Sequence, residues 1–197
     1  NPYGASKLMV EDILADTYKS EPHWRLARLR YFNPVGAHES GLIGENPKGV
    51  PNNLMPFISQ TAAGIRKQLN VFGDDYPTAD GTGVRDYIHV VDLAMGHVAA
   101  LEYLDNNQEL LTVNLGTGRG VSVLEMIHAF EKVNACTVPH QIVQRREGDI
   151  AECWSDAELA NRLLVWRAHR SLEEMCRDTW RWQSSPEGVE DKETQDQ

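Results

Sequence analysis

Apolar positions along this chain follow two alternating rhythms. Over residues 8–19, Leu8, Met9, Ile13, Leu14 and Tyr18 recur at helical spacing. Over 24–33, Leu26, Ala27, Leu29 and Tyr31 interleave with arginines before Phe32-Asn33-Pro34, which reads as a strand entering a loop. A helix followed at this distance by a strand is half of a βαβ unit and predicts a parallel sheet. Residues 37–53, rich in Gly, Pro and Asn, read as a loop. Helical spacing returns over 54–69. Val71-Phe72-Gly73 is strand-like, and 74–83 is rich in turn residues. Strand patterns follow at 85–91 and 111–115, with a helix over 93–104 between them that Asp92 is placed to cap. Ser122 and Glu125 form a capping-box signature for a helix reaching Val133. A further strand is expected over 138–143, and helices over 157–163 and 172–182. From Ser184 the chain is polar and charged, with Pro186 and Gly188, and predicts a disordered acidic tail over 184–197.

Bulk properties narrow the function classes. With 197 residues, 41% of them hydrophobic, a sizeable core can form. The net charge of −10 excludes a general nucleic-acid surface, which must be basic. Part of that charge lies in the tail, where Glu187, Glu190, Asp191, Glu193 and Asp196 face only Lys192. Cys136, Cys153 and Cys176 are odd in number and widely spaced, so neither a disulfide framework nor a zinc site is suggested; they read as reduced cytoplasmic thiols. No apolar run is long enough for a membrane span. The chain begins at Asn1, inside a catalytic-looking segment, and is expected to be the carboxyl-terminal part of a longer protein.

That segment is Asn1-Pro2-Tyr3-Gly4-Ala5-Ser6-Lys7. On a helix, Tyr3 and Lys7 share a face. An ammonium beside a phenol favours the phenolate, and so a base able to take a hydroxyl proton while hydride leaves the same carbon. The pair alone is a weak signal, but other motifs follow it in order. They are Arg30-Tyr31-Phe32-Asn33-Pro34-Val35-Gly36, Pro51-Asn52-Asn53-Leu54-Met55-Pro56, Gly83-Val84-Arg85-Asp86-Tyr87-Ile88-His89, Arg145-Arg146-Glu147-Gly148-Asp149 and Asp178-Thr179-Trp180-Arg181-Trp182-Gln183. Through nearly all of 1–183 this series resembles the extended short-chain dehydrogenase/reductase family. More narrowly, it is similar to the carboxyl-terminal part of the UDP-glucose 4-epimerases.

The resemblance implies an α/β fold: the carboxyl-terminal part of a Rossmann-like NAD-binding fold and a smaller α/β substrate domain. Residues 1–35 would end the NAD domain and 36–183 would form the UDP-sugar domain, with 85–115 packing back on the first. It implies that Tyr3 is acid and base at the sugar C4 hydroxyl and that Lys7 holds the phenolate and the nicotinamide ribose. Hydride would pass from C4 to NAD and return to the opposite face of the keto sugar, interconverting UDP-glucose and UDP-galactose. Tyr31 and Phe32 would wall the nicotinamide side.

Substrate contacts carried over by the resemblance are Asn33, Asn53, Leu54, Asn70, Val71, Phe72, Tyr87 and Val123, with Asn70, Val71 and Phe72 at the uracil. Asn52 reads instead as a cap for the next helix. Arg85 and Arg146 suit a diphosphate, because a guanidinium fork matches phosphate oxygens. Arg145 reads as solvated or structural, and Asp149 would accept from ribose hydroxyls. At Cys153 the sequence departs from the commoner tyrosine. In the resembled family this position faces the sugar, and two readings stay open: a thiol that leaves room at the sugar C2 and admits UDP-GlcNAc and UDP-GalNAc, or a neutral swap compensated by neighbours.

Other features read as structural. Gly116-Thr117-Gly118-Arg119-Gly120 has GxGxG rather than GxGxxG spacing and reads as a tight strand-to-helix turn. His89 and His97 have no third ligand at suitable spacing and read as structural. Trp154, Trp166, Trp180 and Trp182 read as core or interface anchors. Two alternatives stay open: another nucleotide-sugar enzyme of the same family, a dehydratase or decarboxylase, and a non-catalytic UDP-sugar-binding module. A dehydratase would need further acid–base carboxylates, and the Pro51-Asn52-Asn53-Leu54 match favours the epimerase. The intact protein is expected to be a homodimer. These 197 residues contain neither a dinucleotide loop nor the family's Ser/Thr partner of the tyrosine, so the chain alone is expected to be inactive.

Overall fold

The computed structural model describes residues 2–47 and 49–189. It is an α/β fold in which α1 (Pro2–Ser20), β1 (Leu26–Tyr31), β2 (Asn33–Val35), α2 (Leu54–Ala62) and β3 (Leu69–Phe72) come first. The central part is β4 (Val84–His89), α3 (Val90–Asn106), β5 (Leu110–Leu115), β6 (Gly120–Ser122) and α4 (Val123–Asn134). The chain closes with β7 (His140–Val143), β8 (Glu152–Cys153), α5 (Glu158–Leu163), α6 (Leu172–Gln183) and the helical turn α7 (Pro186–Val189). No helix among the described residues is long and apolar enough to cross a membrane.

Strand pairing is mostly parallel. β1 pairs with β5, β2 with β4, and β3 with β7, while β4 also takes β8 in parallel and β6 antiparallel. β4 is the shared wall of two cores. Successive strand residues point to opposite faces. Accordingly, Tyr87 enters a cluster with Ile58, Val71, Met126, Ile127, Phe130 and Cys176, and Ile88 enters one with Leu93, Leu111, Val113, Leu115 and Trp166. Phe130 and Trp180 meet edge to face at 5.9 Å between ring centroids. Trp154, by contrast, is half-exposed.

α1 is held mainly by polar contacts. Arg30 donates from Nε and Nη2 to both oxygens of Glu11 at 2.7 and 2.6 Å, and Arg28 donates to the Glu11 carbonyl. No residue of α1 is buried, and Leu8, Met9, Val10 and Ile13 are each more than half exposed.

Several boundaries differ from the sequence reading for local reasons. The helical spacing over 54–69 yields a helix only to Ala62. Gly64 takes φ +74°, its N–H bonds the Thr61 carbonyl and the Ile65 N–H bonds that of Gln60. This is a left-handed glycine close, and β3 follows it. The helix after β4 begins at Val90 and is capped by His89, whose Nδ1 accepts from the Val91 N–H at 3.1 Å. Asp92 serves another segment: its carboxylate accepts from the N–H groups of His169 and Arg170 and from Arg170 Nη1. The box at Ser122 and Glu125 forms as expected, and Ser122 Oγ also donates to Asp80. The tail reading meets a helical turn at Pro186–Val189; residues 190–197 lie outside the described residues.

The best-enclosed charge is Asp86, with no exposed surface. Its carboxylate accepts from Thr117 N–H and Oγ1 (3.0 and 2.5 Å), Gly118 N–H (3.0 Å), and Ser155 N–H and Oγ (3.1 and 2.6 Å). The Gly116–Gly120 loop is thus a nest for the chain's own carboxylate. A Cβ at Gly116 would collide with Ser155 Oγ and Asp86 Oδ2.

Asp86→Ala would leave the Thr117 and Ser155 N–H groups without acceptors, Gly118 alone keeping one in Ser155 Oγ. It is expected to lower stability by about 3 kcal/mol or more, read from urea midpoints. His89 gives a pH dependence. Burial holds its imidazole below the usual 6.5, against the hydrogen bond to Asp178 at 3.3 Å, which raises it. The unfolded chain therefore takes up this proton at higher pH than the folded one, and His89 costs stability as pH falls through 6.5. Melting temperatures followed from about pH 7.5 to about pH 5 should drop, and more steeply in the parent than in His89→Gln.

Candidate functional site

One cleft of about 360 Å³ gathers most of the residues singled out from sequence. Asn33 enters it from the start of β2, Asn52, Asn53, Leu54 and Phe57 from the head of α2, and Leu69, Asn70, Val71 and Phe72 from β3. Arg85 and Tyr87 come from β4, Val123 from the first residue of α4, and Arg146 and Asp149 from the loop after β7. Eleven of the twelve substrate residues carried over by resemblance thus line one space. The twelfth, Cys153, is exposed in β8 opposite Arg85 in register and does not line it.

The lining is cationic in an acidic chain. Arg66, Arg85 and Arg146 face a single acid, Asp149. Arg85 Nη1 donates to its neighbour's carbonyl, Val84 O, at 2.8 Å, and Nη2 lies 3.9 Å from Asp149. Arg146 lies flat, with Cζ 3.7 Å from the Phe72 ring centroid, so a guanidinium occupies one face of the ring expected to meet a base. Arg145 turns the other way, over Tyr76 at 4.0 Å and against Asp75, which is the structural role expected of it. Burial pushes the Tyr87 phenol up to about 12, with Arg85 opposing, so Tyr87 offers a neutral O–H.

Asn53 holds the N-cap position of α2 yet makes no capping bond; its amide donates to Glu45 at 3.4 Å. Asn52, read as the cap, lines the cleft instead. The Asn70 amide oxygen accepts from Gln141 at 2.8 Å, tying β3 to β7. Phe57, Arg66, Gln68, Leu69, Tyr76 and Gly83 also line the cleft and were missed from sequence. The signal for Arg66 and Gln68 was Gly64: a helix closed there puts 65–68 on a connection into a strand, not on a helix face.

Tyr3 and Lys7 do not line the cleft. They share α1, with Lys7 Nζ 5.3 Å from the Tyr3 ring centroid, and Tyr3 is 72% exposed. Tyr31 and Phe32 end β1 one and two residues before Asn33. The Tyr31 hydroxyl pairs with His97 Nε2 at 2.7 Å, and the Phe32 N–H bonds the Leu115 carbonyl. His97 Nδ1 lies 2.8 Å from the Leu93 carbonyl, which accepts its hydrogen and leaves Nε2 to accept from Tyr31.

Comparison with known proteins identifies the setting of this geometry. The family model described as GDP-mannose 4,6 dehydratase matches residues 1–179. A UDP-glucose 4-epimerase of Haemophilus influenzae is 61% identical over 192 residues, 97% of this chain and 57% of that protein. The solved UDP-glucose 4-epimerase of Stenotrophomonas maltophila, with bound NAD and formylated UDP-arabinopyranose, superposes at TM-score 0.91 with 58% identity, covering 93% of this chain and 55% of that one. That of Bifidobacterium longum, in complex with NAD+ and UDP, gives TM-score 0.91 and 52% identity over 96% of this chain and 56% of that one. The chain thus spans little more than half the length of the relatives it matches. The family model's reach across 1–179 and these likenesses together place the chain in the extended short-chain dehydrogenase/reductase family.

Proposed function

We propose that this chain carries the UDP-sugar site and the tyrosine–lysine pair of an NAD-dependent UDP-glucose 4-epimerase. The observation that carries the reading is the single cationic cleft that collects Asn33, Asn53, Phe72, Arg85, Arg146 and Asp149 from separate segments. Arg85 and Arg146 supply fixed positive charge for a diphosphate, and Asp149 beside them an acceptor for ribose hydroxyls. The relatives' identity supports epimerase over dehydratase within the family.

The chain's residues fit one end of NAD. Tyr3, Lys7, Tyr31 and Phe32 would meet the nicotinamide and its ribose. The glycine loop at 116–120 is no site for the pyrophosphate, because its donors already hold Asp86. Bound NAD supplies the hydride acceptor that no side chain can. Tyr3 would take the C4 hydroxyl proton in the oxidation and return a proton to the C4 oxygen in the re-reduction. Lys7 holds the phenolate. Asn33, two residues from Tyr31, binds the sugar between the acid–base helix and the cleft. In a homodimer the exposed apolar side chains of α1 would be covered.

Calorimetric titration with UDP should show binding to the 197-residue chain, and coupled detection of UDP-galactose conversion with added NAD should show no turnover. Arg85→Gln and Arg146→Gln should each raise the Kd about tenfold or more, the worth of a charge-assisted hydrogen bond. No UDP binding by the parent chain would sink the reading. Cys153 gives a second test, in the enzyme completed with its NAD-binding half. Cys153 stands outside the nucleotide cleft, in β8 opposite Arg85, so the test asks whether the sugar reaches it. Cys153→Tyr should cut kcat/KM for UDP-N-acetylglucosamine about tenfold or more while sparing UDP-glucose, and an unchanged ratio would remove Cys153 from the sugar site.

A further inference from the structure

We infer that Asp86 is a positioning residue for the diphosphate: by gripping Ser155, it sets how far apart Arg85 and Arg146 stand in the cleft. The inference rests on the UDP-sugar reading above and adds to it a residue that meets no ligand itself. Asp86 has no exposed surface and does not line the cleft, although its neighbours Arg85 and Tyr87 both do.

The two arginines come from segments of unequal firmness. Arg85 projects from β4, which is paired with β2, β6 and β8. Arg146 belongs to the run 144–150, every residue of which is exposed. Inside that run the Asp149 N–H meets the Arg146 carbonyl at a long 3.4 Å, and Gly148 takes φ +81°. Such a run is placed by its two ends. At the first, Arg145 lies over Tyr76 and pairs with Asp75. At the second, the Val84 N–H bonds the Ala151 carbonyl at 2.8 Å, and Glu152 and Cys153 pair with Val84 and Arg85. Ser155 then gives its N–H and Oγ to Asp86 at 3.1 and 2.6 Å.

That last tether is the charged one. Hydrogen bonds to a carboxylate are stronger than those between neutral groups, and Ser155 is buried with its acceptor. Asp86 thereby closes the second end of the run onto the strand that carries Arg85. Asp149, within the run, lies 3.9 Å from Arg85 Nη2.

The carboxylate has two arms. Its Oδ1 takes the N–H and Oγ1 of Thr117, at 3.0 and 2.5 Å. Its Oδ2 takes both Ser155 donors and the Gly118 N–H, and shares the Thr117 N–H. Only the Ser155 arm leads to the cleft, since no residue of 116–120 lines it. Two guanidiniums that must engage two linked phosphates together need a preset spacing, whereas a single phosphate makes no such demand.

Calorimetric titrations of UDP and UMP into the parent chain, Asp86→Asn, Ser155→Ala and Thr117→Val test this. The parent is expected to bind UDP more tightly than UMP. Asp86→Asn can keep an oxygen toward Thr117 while turning an amide donor toward Ser155. It should weaken UDP about tenfold, leave UMP within about twofold and keep a stoichiometry near one. Ser155→Ala should shift the same preference in the same direction by about threefold, which preserves the test if the asparagine variant melts early. Thr117→Val removes an equally short bond to the same carboxylate from the other arm. It should lower the melting temperature and leave the preference unchanged. A merely structural Asp86 would lower the stoichiometry or weaken both nucleotides alike, and either result overturns the inference. So does an unchanged Kd for UDP, or a Thr117→Val preference that shifts as far as that of Ser155→Ala. A parent that binds neither nucleotide overturns the UDP-sugar reading itself. A parent that binds both equally leaves that reading standing and removes only the role of Asp86.

Discussion

The buried carboxylate of Asp86 is the interaction on which the site depends. A charge fully out of water is tolerable only when hydrogen-bonded throughout, and five donor groups from two loops meet this one. The loops are the turn at 116–118 and the segment at Ser155. Ser155 closes the stretch that begins with Arg146 and Asp149, and Arg85 precedes Asp86 in β4. One carboxylate thus fixes the strand that carries one cleft arginine to the segment that follows the other. The register of β8 against β4, with Cys153 opposite Arg85, is part of the same clasp.

β4 makes this clasp effective because both of its faces are committed. Tyr87 and Ile88 anchor it into opposite cores, and His89 at its end caps α3 while its ring reaches Asp178 on α6. A strand pinned on two faces and at one end has little freedom to shift. Arg85 accordingly projects from a rigid element, which is where a charge meant to meet a ligand works best. The acidic balance of the chain sharpens the contrast. Three guanidiniums around one cleft, with Asp149 as the lone lining acid, are a local inversion of a chain that carries −10 overall.

The sequence made some of this legible and hid the rest for physical reasons. Strong periodicity placed β5, α4 and α6, and the box at Ser122 and Glu125 located a helix start to the residue. Eleven cleft residues followed from motif order, since resemblance carries over position by position. Phe57, Arg66 and Tyr76 escaped because their places depend on where α2 stops and how the turns around β3 fold. The glycine loop shows the same limit. Its spacing said that it was a turn, but only the fold shows Asp86, some thirty residues earlier, filling it. Asp92 looked like a cap by position, and lost that role to His89 because its carboxylate is claimed by the backbone at 169–170.

The two chemical surfaces meet through a tripeptide. Asn33 lines the cleft, Phe32 is tied to the Leu115 carbonyl, and Tyr31 is held by His97. With Leu93 O accepting from Nδ1, the imidazole keeps Nε2 as the acceptor, and the phenol is fixed as donor. Tyr31 is therefore an oriented hydroxyl donor held by His97. Residues 31–33 close the strand that Glu11 and Arg30 lock to α1, so the helix bearing Tyr3 and Lys7 and the cleft's Asn33 are joined within one short, bonded run of chain. For the proposed epimerase that coupling would matter, because the sugar would turn over while the base and the diphosphate anchor hold still. In the proposed reading, β4 would hold the diphosphate anchor, and the Glu11–Arg30 pair ties the helix that carries Tyr3 to β1.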